Sequence, residues 1–173
     1  ISQAVVRGAK FFTEANGGAL EDERMTLHVG DAKEFFKLQP DNRYDVVVSE
    51  PSNPWISGIG NLFSVQYFEE IRDHLNDDGV LVQWVHLYEL NDDLFRIIVN
   101  TVGSVFPHVE IWQCNGGDIL LAASKKRIRA DAAHIQRLLN SPKVAGDLNR
   151  PNLERTLRSP EDFLVGQVLS SDR

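Results

Sequence analysis

An α/β fold, with a mostly parallel sheet ending in an antiparallel hairpin, is the architecture this chain predicts. Three observations carry it. Apolar, β-branched runs alternate with stretches of helical periodicity, the pattern of strand–helix–strand units. Two of the runs, "MTLHVGD" and "YDVVVSE", finish on a carboxylate, where the carboxyl edge of a parallel sheet receives ligands. The last two runs, "VEIWQC" and "DILLAAS", flank an "NGG" turn suited to a hairpin.

The elements follow in order. "SQAVVRGAKFF" is a helix with Ala4, Val5, Ala9 and Phe12 at helical spacing and Ser2 as its candidate cap. "NGGALEDER" is a loop, "MTLHVGD" a short strand ending at Gly30 and Asp31, "AKEFFKL" a helix and "QPDNR" a turn. "YDVVVSE" is the next strand. In "NLFSVQYFEEIRDHL" the residues Leu62, Phe63, Tyr67, Ile71 and Leu75 form one helical stripe, which "NDDG" stops. "VLVQWVHLY" is a strand, and "NDDLFRIIVNTVGSVF" a helix capped by Asn91 or Asp92. After the hairpin, "DAAHIQRLL" and "PEDFLVGQVL" read as helices joined by a polar linker from Pro142 to Pro151.

Composition narrows the function classes. A chain of 173 residues suits one domain, and 42% hydrophobic with 25% charged residues is ordinary for a soluble globular protein. The net charge of -7, with no Lys/Arg-rich run, argues against nucleic acid as partner. It suits a cationic small substrate, though an acidic surface also serves solubility alone. Cys114 is the single cysteine, so an internal disulfide and a cysteine zinc cluster are both excluded. His28, His74, His108 and His134 are too scattered for a metal site, and no metal is expected. No apolar run reaches membrane-span length and no signal-peptide pattern opens the chain, so a cytoplasmic location is expected. The chain opens at Ile1 inside a helix-like stretch, which reads as part of a longer parent.

The segment "YDVVVSEPSNPW", Tyr44 to Trp55, concentrates the chemistry. A buried-looking strand delivers Glu50 to the ligand edge. Pro51 and Pro54 fix their own φ and bias the residues before them, Glu50 and Asn53, toward extended backbone.

Taken together, "VGDAKEFF", "YDVVVSEPSNPW" and "NLFSVQYFEEIRDHLNDDGVLVQW" resemble successive blocks of the spermidine/spermine synthase family of aminopropyltransferases, over roughly residues 1 to 126. The wording "SEPSNPW" is similar to a bacterial subgroup often fused to membrane-spanning segments, in which case this domain faces the cytoplasm. The resemblance implies the Rossmann-like fold of class I S-adenosylmethionine-dependent methyltransferases. It also implies that the first two strands of that fold are missing, with their glycine-rich turn and ribose-binding acid. Residues 1–126 then form a partial Rossmann-like domain, and 127–173, which carry no assigned motif, a helical extension of it. The chain alone is expected to be inactive and to bind S-adenosyl nucleosides weakly. A strand at Met25 without its neighbour, and a bare edge on the strand at Val46, predict self-association, with a homodimer in view, or a displaced Met25 segment.

The resemblance also assigns roles. Decarboxylated S-adenosylmethionine is the implied co-substrate, S-adenosylmethionine the alternative, and a polyamine or other amine the acceptor. Asp31, Ala32, Glu50 and Pro51 match positions facing the nucleoside; for Asp31, capping of the "AKEFFKL" helix is the competing reading. Glu50 matches the catalytic acid, usually aspartate in the family. Aminopropyl transfer needs a neutral attacking amine, and a carboxylate can accept its proton; a solvent-facing glutamate is the plain alternative. Asn53 stands where the family commonly has a second acid that binds the amine. An amide accepts a hydrogen bond but supplies no charge, so putrescine is not assumed as acceptor. Trp55, Trp84 and Tyr88 would wall a cationic or aliphatic substrate, or belong to the core. "NPWISGIGN" reads as a gate or an ordinary connection. His86 reads as structural, and Asp118 either faces the site from the hairpin or stabilises its turn. Two other functions stay open: a methyltransferase on the same fold, and a non-catalytic domain that binds a nucleoside or polyamine.

Overall fold

The computed structural model describes residues 2–148 and 157–170. The chain divides into two compact units, Ile1–Asn42 and Arg43–Arg173.

The first unit is helical. Helix α1, Gln3–Ala9, starts at Ser2, whose side chain accepts from the Val5 N–H, as expected. A 3-10 turn over Lys10–Phe12 leads into the short α2, Thr13–Asn16. Gly17 and Gly18 end it with φ of 64° and 69°, a left-handed pair that residues with a Cβ adopt at a cost. Helix α3, Ala32–Leu38, coincides with the predicted "AKEFFKL", and Asp31 caps it. The predicted strand at Met25 to Asp31 is absent. A strand is stabilised by a ladder, and no described strand pairs with this segment. Its Met25, Leu27 and Val29 are correspondingly exposed.

The second unit holds a five-stranded sheet. In chain order it contains β1 (Tyr44–Ser49), α4 (Val65–His74), β2 (Leu75–His86), α5 (Asp92–Val105), β3 (His108–Asn115), β4 (Asp118–Ser124), α6 (Ala132–Leu139), α7 (Pro142–Leu148), α8 (Pro160–Leu164) and β5 (Gln167–Leu169). The spatial order is β1-β2-β4-β3-β5. Only β1 and β2 run parallel; β2–β4, β3–β4 and β3–β5 are antiparallel. The α/β class and the closing hairpin agree with expectation, but the parallel part is one pair. Without a strand at Met25, β1 lies at the sheet edge.

Helices α4 and α5 cover one face of this sheet. Phe68, Ile71, Ile98 and Val102 from the helices meet Leu81, Val85, Ile119, Leu121 and Ala123 from the strands, all buried. Each such side chain contributes roughly 1.5–3 kcal/mol by leaving water. The predicted stripe holds for Phe63, Tyr67, Ile71 and Leu75. The helix proper begins after a 3-10 turn over Gly60–Phe63, where the Ser64 side chain accepts from the Tyr67 N–H. Residues "NDDG" belong to β2, which starts at Leu75 with an irregular register against Tyr44. Gly79 permits that approach, because a Cβ there would lie 2.9 Å from the Tyr44 carbonyl oxygen. Of the two caps proposed for α5, Asn91 is the one used, its side chain accepting from the Leu94 N–H at 2.8 Å.

The carboxy-terminal segment departs further from expectation. Part of the supposed linker is α7, with Pro142 at its first helical position, where proline's missing N–H costs nothing. The remainder, toward Pro151, lies outside the described residues. The predicted "PEDFLVGQVL" helix stops at Leu164, with Gly166 just beyond its cap. The chain then extends into β5, tied by the Gln113 N–H to the Gly166 carbonyl at 2.7 Å. A strand partner outcompetes helical propensity here. Among the described residues, no helix is long and apolar enough to cross a membrane, and no group of three or more His, Cys, Asp or Glu is placed to hold a metal.

Candidate active site

The chemistry gathers where β1 and β2 end together. Parallel register sets Ser49 beside Gln83, so the segments following both strands leave the sheet at one edge. Burial alternates along the exit: Ser49 buried, Glu50 exposed, Pro51 buried, Ser52 exposed, Asn53 buried. Ser49 is held from the helix-covered side, its Oγ 2.9 Å from the Tyr67 hydroxyl of α4. The neighbouring Glu50 carboxylate is therefore turned outward. It makes no hydrogen bond or ion pair among the described residues.

Asn53 is fixed. Its residue exposure is 8%, and its Nδ2 donates to the Tyr88 hydroxyl at 2.9 Å. Its Oδ1 is buried with no hydrogen-bond partner among the described residues. An orphaned acceptor at a strand end is an unmet demand for a donor, since burying one unpaired costs about 1–3 kcal/mol. Trp55 packs edge-on to the Tyr88 ring, with centroids 6.3 Å apart at 84°. The structure thus brings Asn53, Trp55 and Tyr88 together. Both aromatic rings are partly exposed, so neither belongs to the core.

The same wall continues along β2. Trp84, His86 and Tyr88 alternate in sequence, and their rings lie 5.6 Å and 5.2 Å apart in succession. His86 pairs in register with Asp118, the first residue of β4, and their Nδ1 and Oδ1 atoms are 2.6 Å apart. The Leu87 N–H donates to the Gly117 carbonyl at 2.8 Å, extending the ladder into the hairpin turn. Glu89 then reverses the chain with φ 54°, an uncommon conformation for a residue with a side chain. The pairing with His86 ties Asp118 to β2 and is compatible with both readings of that residue, facing the site or stabilising the turn. On β3, burial and then the Asp118 charge push the Cys114 thiol up from its ordinary range. Gln83 Oε1 and the Trp84 Nε1–H are likewise buried without a hydrogen-bond partner among the described residues.

Asp31 and Ala32 belong to the first unit. Both cap bonds reach one oxygen, Oδ1, from the Lys33 and Glu34 N–H groups at 2.9 and 3.1 Å. The capping reading therefore holds. The other carboxylate oxygen makes no hydrogen bond among the described residues, so capping leaves it available for a ligand.

Sequence reasoning missed the pairing of His86 with Asp118 and the tie between Asn53 and Tyr88. The available signal was the alternation of Trp84, His86 and Tyr88, which puts three rings on one face. A cavity of ≈ 1370 Å³, lined by Val82, Trp112, Leu120, Ala122 and Phe163 among others, opens on the sheet face that Val82 shares with Trp84 and His86. None of the predicted site residues lines that cavity.

A family model described as "Spermine/spermidine synthase domain" matches residues 1–115. A spermine synthase of Arabidopsis thaliana is 34% identical over 101 residues, covering 56% of this chain and 27% of its own length. A polyamine aminopropyltransferase of Aeropyrum pernix is 33% identical over 113 residues, 64% of this chain and 36% of its own. The chain thus spans about a third of the curated relatives it matches. A crystal structure of spermidine synthase in complex with the transition-state analogue AdoDATO superposes with a TM-score of 0.70 at 17% identity, covering 98% of this chain and 56% of that one. Human methyltransferase-like protein 13, solved with SAH, gives a TM-score of 0.56 at 14% identity over 77% of this chain and 64% of its own. These two likenesses establish the fold.

Proposed function

The chain belongs to the spermine/spermidine synthase domain family, and on that premise we propose that it provides the acceptor side of an aminopropyl transfer in polyamine biosynthesis. The co-substrate is decarboxylated S-adenosylmethionine, and the acceptor is an amine. A spermidine synthase of the same fold was solved with the transition-state analogue AdoDATO. The observation that carries the reading is the pairing of functions at the end of β1: an uncommitted Glu50 carboxylate, and three residues on a buried Asn53 acceptor that lacks a donor.

The chemistry follows from those groups. A free alkylamine titrates near the lysine value of about 10.4, so the acceptor arrives as an ammonium. Glu50, free of competing bonds, takes that proton. The nitrogen lone pair then forms a bond to the propyl carbon attached to the sulfonium. The carbon–sulfur bond breaks, its electrons stay on sulfur, and methylthioadenosine leaves. Asn53 Oδ1 accepts an N–H of the amine and orients its lone pair, while Trp55 and Tyr88 supply apolar walls and exclude water. For the nucleoside, the residues present fit in part. Asp31 keeps one carboxylate oxygen for an adenine amino group, and the Ala32 N–H beside it is unused within the helix. Within the second unit, taken by itself, Pro51 is a rigid, buried residue next to Glu50. No metal enters this chemistry. Activity belongs to the whole protein, whose relatives are longer than this chain.

The test is Glu50→Gln in the protein that carries this sequence, following methylthioadenosine release with several amines offered separately. Loss of turnover on the order of 10²- to 10⁴-fold is expected for removal of a general base. Full activity in the variant would exclude Glu50 as the base. No release with any amine would favour a nucleoside- or polyamine-binding domain.

A further inference from the structure

The bond between Ser49 and Tyr67 lies where β1 is least supported. Ser49, opposite Gln83, is the last rung that the register with β2 gives, and no described strand pairs with the other side of β1. A strand end held from one side only is where a sheet opens first. Glu50 follows at the point where the ladder has stopped. The support that the ladder lacks comes from α4. Ser49 and Tyr67 are 7% and 4% exposed, and their hydroxyl oxygens lie 2.9 Å apart. One hydroxyl donates to the other, so neither oxygen is stranded out of water.

The phenol is itself held in place. Its neighbours on α4, Phe68 and Ile71, are fully buried. The Tyr67 N–H donates to the Ser64 hydroxyl oxygen at 3.3 Å, and that hydroxyl donates to the Asn61 carbonyl at 2.8 Å. Asn61 belongs to the 3-10 turn that ends the connection from β1. Hydrogen bonds therefore run from Asn61 through Ser64 and Tyr67 to Ser49, the residue before Glu50.

Resting on the aminopropyl-transfer reading above, we infer that Tyr67 is a positioning residue for Glu50, acting through Ser49. Tyr67 does not touch the reacting atoms. Its hydroxyl fixes the end of β1, and with it the direction in which the Glu50 side chain leaves the backbone. The carboxylate makes no hydrogen bond among the described residues, so the backbone alone sets where it stands. A displacement of about 1 Å at reacting groups costs on the order of 10²-fold in rate. The hydroxyl pair carries no charge and meets no amine. Its effect accordingly falls on kcat and leaves KM nearly unchanged.

The experiment measures kcat and KM by methylthioadenosine release in the protein that carries this sequence. Tyr67→Phe should lower kcat about 10- to 100-fold and change KM for the amine by less than about twofold. Ser49→Ala removes the other half of the bond and should do the same, and the two together should be no worse than either alone. Ser49→Thr, which keeps a hydroxyl, should retain more turnover than Ser49→Ala. The deciding measurement is Tyr67→Phe in a Glu50→Gln background. A residue that acts through the carboxylate has nothing left to position there, so the further loss should be less than about twofold, whereas a merely structural role would cost the same in both backgrounds. Heteronuclear spectra check that each variant is folded, and Ser49→Ala carries the test if Tyr67→Phe is not. Wild-type kcat in Ser49→Ala, or equal losses with and without the Glu50 carboxylate, overturns the positioning role. In those cases a Glu50→Gln loss of turnover would leave the transferase reading standing. If Glu50→Gln keeps full activity, or no amine reacts, Glu50 as base and its positioning by Tyr67 fall together.

Discussion

Tyr88→Phe isolates one hydrogen bond at the centre of the site. The substitution removes the hydroxyl that accepts from Asn53 Nδ2 at 2.9 Å and keeps the ring that meets Trp55 and His86. Asn53 already has an unpartnered Oδ1, so the variant leaves both ends of a buried amide unsatisfied. Stranding a buried donor costs about 1–3 kcal/mol. Tyr88 itself is 54% exposed, so water can partly replace the lost partner and the lower end applies, about 1–1.5 kcal/mol. Urea unfolding followed by tryptophan fluorescence reads this directly. With an m-value of about 2 kcal/mol per molar, the midpoint should fall by roughly 0.5–0.75 M at unchanged m. The control is a double-mutant cycle with Asn53→Leu. Once the amide is gone, Tyr88→Phe should cost far less, because replacing both partners by apolar groups approaches neutrality. If Tyr88→Phe is as stable as wild type, or costs the same in both backgrounds, the tie between Asn53 and Tyr88 does not organise this site.

Two further outcomes test the elements around it. Asp31→Ala removes the cap of α3 and should destabilise that helix by about 0.5–2 kcal/mol; amide exchange at Lys33 and Glu34 should quicken, and unchanged protection there would refute the cap. Val46 and Val48 are 57% and 67% exposed on the edge strand β1, whose outer side joins no described strand, so self-association through that edge is expected. Val48→Lys should shift sedimentation toward monomer, and a wild-type protein that stays monomeric at high concentration would sink the idea.

How much the sequence disclosed depended on the range of the interactions involved. Asp31 before "AKEFFKL" and Asn91 before "DDLFRIIV" are local signals: a side-chain oxygen within reach of N–H groups two or three residues on. Both helices form where that chemistry puts them. The hairpin around "NGG" is local for the same reason. "MTLHVGD" has the composition of a strand, but a strand exists only against a neighbour, and composition carries no information about the neighbour. "GQVL" errs in the opposite direction, a helical pattern drawn into a ladder by β3. Glu50 and Asn53 were legible as candidates because their segment resembles a block of the family and a proline follows each of them. The His86–Asp118 pair was not, because it depends on the register of β2 against β4 across 32 residues.

On the proposed reading, with Glu50 as proton acceptor and Asn53 as recognition group, the alternation at the end of β1 lets one short segment serve two opposed requirements. A proton acceptor must be free of prior bonds and reachable by the amine, whereas a recognition group must be held still. An extended chain turns successive residues to opposite sides. Ser49, Pro51 and Asn53 are therefore buried together while Glu50 and Ser52 face out. Ser49 anchors the inner side through Tyr67, and Asn53 does so through Tyr88. Between two anchored positions, Glu50 has little backbone freedom even though its side chain is unconstrained. Pro51 and Pro54 keep the segment from folding into a turn that would break the alternation. A slip of one residue would bury the carboxylate and expose the amide, reversing both roles. The three β-branched residues before Glu50 oppose that slip, because Val47 and Ser49 fit the helix-covered face while Val46 and Val48 are the exposed pair.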